Sequence, residues 1–236
     1  LVYVIDPVFP ESGNAGPGGA IDVRPDMVLC TLRPPEGLDV TTLSNLATAY
    51  PDAQFGSSDE GRDVMIGRSG HLGLDDVPVN PARVHAQANG TWLDVRTYGL
   101  RDSLKIRSLP VNPIGPWCMF YNFGSVNACV FRGLTNAEAV EEASASIGRR
   151  VDVLIWDLAR TDLSVVLQGV ASVRPRYVIP IGYDQHARGG EQARRLREEV
   201  ADIPGVKVYL FPDDYLEGLV YSRIMSRQRR NPKSGV

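Results

Sequence analysis

Histidine, cysteine and long apolar runs are scarce in this chain. Its 236 residues include 3 histidines and 3 cysteines. A zinc site usually needs three or four converging imidazole, thiolate or carboxylate ligands, and no two histidines here stand at ligand spacing. No apolar run approaches the ~18 residues that a membrane-spanning helix requires. The composition therefore gives no sign of a histidine-rich metal centre, and we expect no membrane partner.

The cysteines and the charge balance indicate the compartment and the kinds of partner to expect. Cys30, Cys118 and Cys129 form no spaced cluster, and two of them lie in strand-like apolar runs. Buried thiols of this kind are typical of a reducing compartment, so we predict a cytoplasmic protein. The formal net charge of −3 gives no electrostatic reason to expect nucleic acid as a partner. With 43% apolar and 22% charged residues, the chain suits a single globular α/β domain.

Strand and helix patterns alternate along the chain. Residues 27–30 and 206–210 are predicted to be strands, and residues 54–56 a short strand. Apolar residues at helical spacing predict a helix that begins near Thr41 and ends at Pro51. Composition, charge spacing and end signals predict helices over residues 137–147, 163–173 and 191–201. Residues 60–103 are the least regular, and we expect a β-rich edge with an ordered loop there. Two β-rich segments, each followed by strand–helix units, predict an αββα sandwich with similar halves.

A basic segment closes the chain. We predict one domain over residues 1–222 and a separate tail over residues 223–236. The tail carries Arg223, Arg227, Arg229, Arg230 and Lys233. Such a tail is either a solvated terminus or a contact for an anionic partner, and it lacks the interleaved aromatics typical of nucleic-acid binding.

Several segments together carry a family resemblance. Residues 31–39, Thr-Leu-Arg-Pro-Pro-Glu-Gly-Leu-Asp, join a strand to a helix and end in Leu-Asp. Residues 104–110, 128–135, 151–155 and 174–184 follow in order. In order and spacing, these segments resemble the metallo-β-lactamase superfamily, in particular its lactonase-like branch. The resemblance implies a four-layer αββα sandwich, a hydrolase ancestry and additional strands ahead of Leu1.

The metal-binding positions of that superfamily are the ones that differ. Its first loop normally reads Thr-His-x-His-x-Asp-His-Leu-Asp, and further ligands follow in a later loop, in a Gly-Asp-Thr segment and in a Pro-x-x-x-Ile-Pro-x-His segment. The residues at these positions here are Leu32, Pro34, Glu36, Gly37, Asn112 or Pro113, Leu134 and Gly182. Leucine, proline and glycine side chains offer no lone pair. We therefore expect no dinuclear metal site and no cofactor.

The resemblance also indicates which side chains would surround the former metal cleft. We take Glu36, Tyr183 and Asp184 as candidate catalytic residues, because a shielded carboxylate such as Glu36 can have its pKa raised and then shuttle protons. The candidate ligand-binding residues are Arg33, Asp39, Asn112, Trp117, Asp157, Arg160 and His186.

Each of these residues also has a purely structural explanation. Glu36 would pair with Arg33, Asp39 would cap the helix that follows it, and Trp117 would belong to a core strand. His186 would be an exposed side chain in a polar loop. A relocated single metal bound by Glu36, Asp39, Asp184 and His186 is a further possibility, although their spacing is not diagnostic.

Three functions remain open on the sequence. The first is a metal-free protein that keeps a cleft for a small organic ligand or substrate, with a protein partner as another possible occupant. The second is a metal-independent isomerase, cyclase or lyase that uses acid–base residues of the old cleft. The third is a metal-dependent hydrolase of the lactonase type, which rests on the resemblance alone. The oligomeric state is not determined by the sequence.

Overall fold

We analysed a computed structural model of the chain. It describes residues 3–5, 24–30, 40–70, 72, 77–86, 92–94, 104–109, 118–124, 126–134, 136–158, 161–181 and 189–210. Across these residues, no helix combines the length and the apolar character needed to cross a membrane. The chain divides into two compact units, residues 1–102 with 106–119 and residues 103–105 with 120–236. The prediction of a single domain over residues 1–222 stays a prediction.

A four-stranded sheet forms in the N-terminal part of the chain. Its strands are β1 (Tyr3–Ile5), β2 (Met27–Leu29), β3 (Gln54–Ser57) and β4 (Val84–Ala86), paired in that order. All three pairings are parallel. Parallel neighbours require crossover connections, and helices supply two of them. Helix α1 (Val40–Ala49) lies between β2 and β3, and helix α2 (Asp59–Met65) lies between β3 and β4.

Helix α1 follows from its apolar spacing. Leu43, Leu46 and Ala47 recur at helical intervals and are buried, as the sequence predicts. They join a core cluster that contains Phe55 and Met65. Burial of this apolar face, more than the intrinsic propensity of the sequence, holds so short a helix in place.

Helix α2 lies where the sequence indicated mainly β structure. The Ser58 side chain accepts a hydrogen bond from the N–H of Gly61 at 3.0 Å and caps the helix. An added Cβ at Gly61 would meet the Ser57 Oγ at 2.0 Å. The seven residues are too few to show a clear helical period, which explains why sequence patterning missed this element. The rest of that segment does contain strands.

A seven-stranded sheet has the order β11-β10-β9-β8-β7-β6-β5. Its members are β5 (Trp92–Asp94), β6 (Leu104–Leu109), β7 (Cys118–Phe123), β8 (Asn127–Phe131), β9 (Val153–Asp157), β10 (Tyr177–Ile181) and β11 (Lys207–Val208). Strands β8 to β11 are parallel. They are connected by helices α3 (Ala137–Ile147), α4 (Leu163–Val173) and α5 (Gly189–Val200).

The bounds of α3 and α4 match the sequence prediction. Asn136 caps α3 through the N–H of Ala139, and Gly148 ends it in the left-handed conformation, with φ 61. Helix α4 packs on the sheet through Gly169, which lies against the buried indole of Trp156. Strands β8 and β9 are nearly continuous apolar runs, as expected for buried parallel strands.

The strand register sets the position of the loops. Phe131 of β8 pairs with Trp156 of β9, and Asp157 of β9 pairs with Ile181 of β10. The carboxyl ends of these three strands therefore lie along one edge of the sheet. In parallel α/β sheets ligands bind at this edge, so we expect a functional site there.

Candidate functional site

Arg132 and Asp157 form an ion pair at the carboxyl edge of β8 and β9. The Arg132 Nε lies 3.8 Å from the Asp157 Oδ2, and the two side chains are 15% and 21% exposed. Arg132 directly follows β8, and Asp157 is the last residue of β9. Because neighbouring parallel strands end side by side, the register brings these opposite charges together. The pair is shielded from bulk water, which strengthens its electrostatic attraction.

The backbone around Asp157 is held by two hydrogen bonds. The Leu158 N–H donates to the carbonyl of Ile181 at 2.9 Å, which links the ends of β9 and β10. The hydroxyl of the buried Thr161 donates to the Asp157 carbonyl oxygen at 3.3 Å. These contacts fix the main chain that carries the carboxylate. A fixed backbone is what a binding side chain needs for precise placement.

Leu134 lies two residues after Arg132 and is fully buried, with 0% of its surface exposed. Its side chain is aliphatic, so it contributes to the core and can donate no electron pair to a metal ion. Gly133 before it has φ 61, a conformation that favours glycine. The segment therefore turns sharply between a charged residue and a core residue.

The described part of this edge can bind an anion more readily than a metal ion. A guanidinium offers planar N–H donors that match a carboxylate or phosphate, and Asp157 offers an acceptor beside it. Among the described residues, no group of three or more His, Cys, Asp or Glu side chains is placed to hold a metal ion.

Comparison with known proteins bears on the fold. No family model matches the chain, and no curated protein matches it. Among solved structures, it is similar to Igni18, a metallo hydrolase from the archaeon Ignicoccus hospitalis, with TM-score 0.56, 12% identity and coverage of 79% of this chain and 76% of that one. It is also similar to YhfI, a metallo-β-lactamase fold protein from Bacillus subtilis, with TM-score 0.53, 12% identity and coverage of 79% and 74%.

A third similar structure is CmlA, a diiron β-hydroxylase from Streptomyces venezuelae. The TM-score is 0.58 at 14% identity, and the match covers 89% of this chain but 49% of that one. The chain has the metallo-β-lactamase fold. The fold class predicted from the sequence is thereby confirmed, whereas the lactonase-like branch stays a prediction. At these identities the comparisons carry the fold alone.

Within this fold, one of the ten candidate site residues lies in the described part of the chain. Asp157 lies at the predicted edge and contacts Arg132. The others, Glu36, Tyr183, Asp184, Arg33, Asp39, Asn112, Trp117, Arg160 and His186, lie outside the described residues. Their grouping around a cleft stays a prediction.

Arg132 is the site residue that the sequence analysis did not select. The signal was present, because a charged residue directly follows the buried run of β8, just as Asp157 ends the next parallel strand. In the metallo-β-lactamase fold these two strands are neighbours, so their terminal charges meet. Knowing that the two strands are adjacent, and not only that both exist, was needed to pair the residues.

Proposed function

We propose that this chain is a metal-free protein of the metallo-β-lactamase fold that has lost the dinuclear hydrolase site and keeps a cleft for a small organic ligand. The observation that carries the proposal is Leu134, a fully buried leucine at the position where the superfamily pattern has its metal-bridging aspartate. An aliphatic side chain in the core cannot bridge two metal ions. The loss of the histidines at the other ligand positions of the sequence supports the same conclusion.

The ligand class follows from Arg132 and Asp157. A shielded guanidinium favours a ligand with a carboxylate or phosphate group, and the adjacent carboxylate accepts a hydrogen bond from a neutral donor on the same ligand. We therefore propose a small organic anion, with Arg132 as its anchoring residue. The buried thiols of Cys30, Cys118 and Cys129 support a reducing, cytoplasmic compartment for this protein.

Metal analysis of the purified full chain tests the first half of the proposal. We expect zinc, manganese and iron well below one equivalent per chain by mass spectrometry, both as purified and after incubation with each metal and desalting. Stoichiometric retention of any of these metals would overturn the proposal and favour a metal-dependent hydrolase.

Ligand binding tests the second half, with acetate, succinate and inorganic phosphate as probes in thermal unfolding. A ligand that binds only the folded chain adds about 2.7 kcal/mol to the free energy of unfolding at a hundredfold excess over Kd, and the unfolding temperature rises accordingly. We expect this increase in the wild type and in the control Asp162→Asn, an exposed carboxylate at the start of α4. Arg132→Gln should abolish it. Equal responses in Arg132→Gln and the wild type would remove Arg132 as the anchor.

The metal-independent enzyme is the second candidate, and Glu36 is its decisive residue. If a turnover assay for an isomerase, cyclase or lyase reaction succeeds, Glu36→Gln should reduce kcat, because the amide cannot accept a proton. Unchanged turnover in that variant would exclude Glu36 as the catalytic base. Tyr183 and Asp184 would be examined in the same way.

A further inference from the structure

Positively charged residues are concentrated at the amino ends of the parallel strands β8 to β11, at the edge opposite Arg132 and Asp157. Register pairs Ala128 with Val153, Val153 with Tyr177, and Tyr177 with Lys207, so the starts of β8 to β11 lie in one row. The segments that lead into β9, β10 and β11 therefore meet at this edge. We call their cationic residues the basic edge: Arg149, Arg150, Arg174, Arg176 and Lys207.

Most of the cationic side chains of the basic edge are exposed to solvent. Arg149, Arg150, Arg174 and Lys207 are exposed, and Arg176 is half-buried. Two carboxylates occur in the same connecting segments. Asp152 is 2% exposed and accepts a hydrogen bond from the Asn127 N–H at 3.0 Å, whereas Asp202 is exposed. The last turn of α5 adds the exposed carboxylates of Glu198 and Glu199, so this edge has five cations and three exposed carboxylates in a chain with a net charge of −3.

Helix capping explains part of this charge but not Arg174. Cations near the carboxyl ends of α3, α4 and α5 do stabilise the helix dipoles. Arg174, however, ends α4 in the left-handed conformation, with φ 47 and ψ 56, while Gly148 performs the same role for α3. Among the described residues it is the one non-glycine residue with positive φ. Glycine would adopt this conformation without strain, so the arginine side chain is retained at a cost.

Aromatic rings are interleaved with these cations. The Arg176 guanidinium lies over the Tyr177 ring, 5.7 Å from its centroid. The Lys207 N–H donates to the Arg176 carbonyl at 3.0 Å, which sets the two cationic residues on adjacent strands. Tyr209 follows two residues after Lys207, and its N–H donates to the Val178 carbonyl at 2.8 Å. An arginine plane supported by a ring is a surface on which a nucleobase can stack.

We propose that the basic edge binds a single-stranded nucleic acid through its phosphate backbone. Arginines pair with phosphates through two parallel hydrogen bonds, and adjacent strands about 4.8 Å apart repeat the cations along the edge. Tyr177 and Tyr209 are aromatic residues interleaved with the cations, which the basic C-terminal tail lacks. The inference is independent of the proposed function, because Arg132 and Asp157 lie at the other end of the same strands.

Fluorescence anisotropy with a labelled oligouridine RNA and the full chain tests this proposal. We expect binding at ~50 mM salt that weakens steeply by ~200 mM, with a log–log slope of about −0.7 per phosphate contact. The variant Arg150→Glu with Lys207→Glu changes two exposed side chains and should weaken binding by about tenfold or more. A neutral pair, Arg150→Gln with Lys207→Gln, should weaken it less and reduce the slope by about 1.4.

Two further variants act as matched controls. Arg194→Glu with Arg195→Glu makes the same change of charge on the exposed side of α5 and should leave binding nearly unchanged. Arg229→Glu with Arg230→Glu makes that change in the tail. Three outcomes would each overturn the proposal. They are no binding by the wild type, equal weakening in the α5 control, and loss of binding in the tail variant alone. Equal binding of a polyglutamate peptide would also overturn it, because the edge would then accept any polyanion.

Discussion

Gly169 lies so close to Trp156 that a Cβ added to it would meet the Cη2 and Cζ3 atoms of the indole at 2.3 Å. Trp156 is fully buried and also packs edge-on against Phe131, with ring centroids 5.0 Å apart. The contact joins α4 to β9, the strand that ends in Asp157. Close packing of the helix on the sheet therefore depends on the absence of a side chain at one position.

The first prediction is that Gly169→Ala destabilises the protein. The indole is fully buried and packed against Phe131, so the extra methyl group should cost about 1–3 kcal/mol, despite the better helix propensity of alanine. The matched control is Gly190→Ala, since a Cβ at Gly190 meets nothing within 4 Å. The control should be neutral or stabilising. Urea unfolding of both variants measures the difference, and equal stabilities would contradict the packing described here.

The second prediction concerns Arg83, which ties the end of α1 to the sheet. Its Nε donates to the carbonyl of Ala53 at 2.8 Å, its Nη2 to that of Tyr50 at 2.8 Å and its Nη1 to that of Ala47 at 3.3 Å. The guanidinium also lies 5.3 Å from the centroid of the Phe55 ring. A lysine ammonium cannot reproduce this fork.

We therefore expect Arg83→Lys to reduce the free energy of unfolding by about 1–3 kcal/mol, since hydrogen bonds to a charged donor are lost. Arg68→Lys, at an exposed position of the same part of the chain, is the control and should change it by less than about 0.5 kcal/mol. Chemical denaturation measures both. If Arg83→Lys matched the control, the three carbonyl contacts would not contribute to stability.

The third prediction is a pH dependence that comes from His85. Its Nε2 lies 2.8 Å from the Gln54 Oε1. Burial of the imidazole, and secondarily the nearby Arg62 guanidinium, lower the pKa of His85 from its ordinary value of 6.5. The folded chain thus favours the neutral ring.

The sign of the effect follows from proton uptake. The unfolded chain binds the proton at a higher pH than the folded chain does, so the contribution of His85 to stability is complete above pH 6.5. It declines as the pH falls through 6.5 toward the lower folded-state pKa. Unfolding free energies of the wild type and His85→Gln across this range measure the effect. The difference between the two proteins should change with pH, and a constant difference would contradict the prediction.

The fourth prediction is that Arg174→Gly stabilises the protein. The left-handed backbone at residue 174 costs an arginine about 1 kcal/mol more than a glycine, partly offset by the greater freedom of glycine in the unfolded chain. We expect a net gain of a few tenths to about 1 kcal/mol by thermal unfolding. The reverse change, Gly148→Ala at φ 61 in open space, should destabilise by a similar amount. A loss of stability in Arg174→Gly would show that the side chain holds α4.

Much of the fold follows from local pattern. Composition and end signals predict α3 and α4 with the bounds that the structure has, because α3 is rich in alanine and glutamate and the two helices end at Gly148 and before Pro175. The order of the motifs predicts the metallo-β-lactamase fold. Helix α2 was missed, since seven residues are too short for the period to be recognised.

The sequence by itself determined the fold class, because the fold class depends on residue types and their order along the chain. The absence of the superfamily's metal ligands stays a prediction. Tertiary structure alone decided that Arg132 meets Asp157 and that five cations share one edge of the sheet. These groups come from segments far apart in sequence. Only the parallel register of the strands, set by hydrogen bonding and core packing between them, brings such segments together.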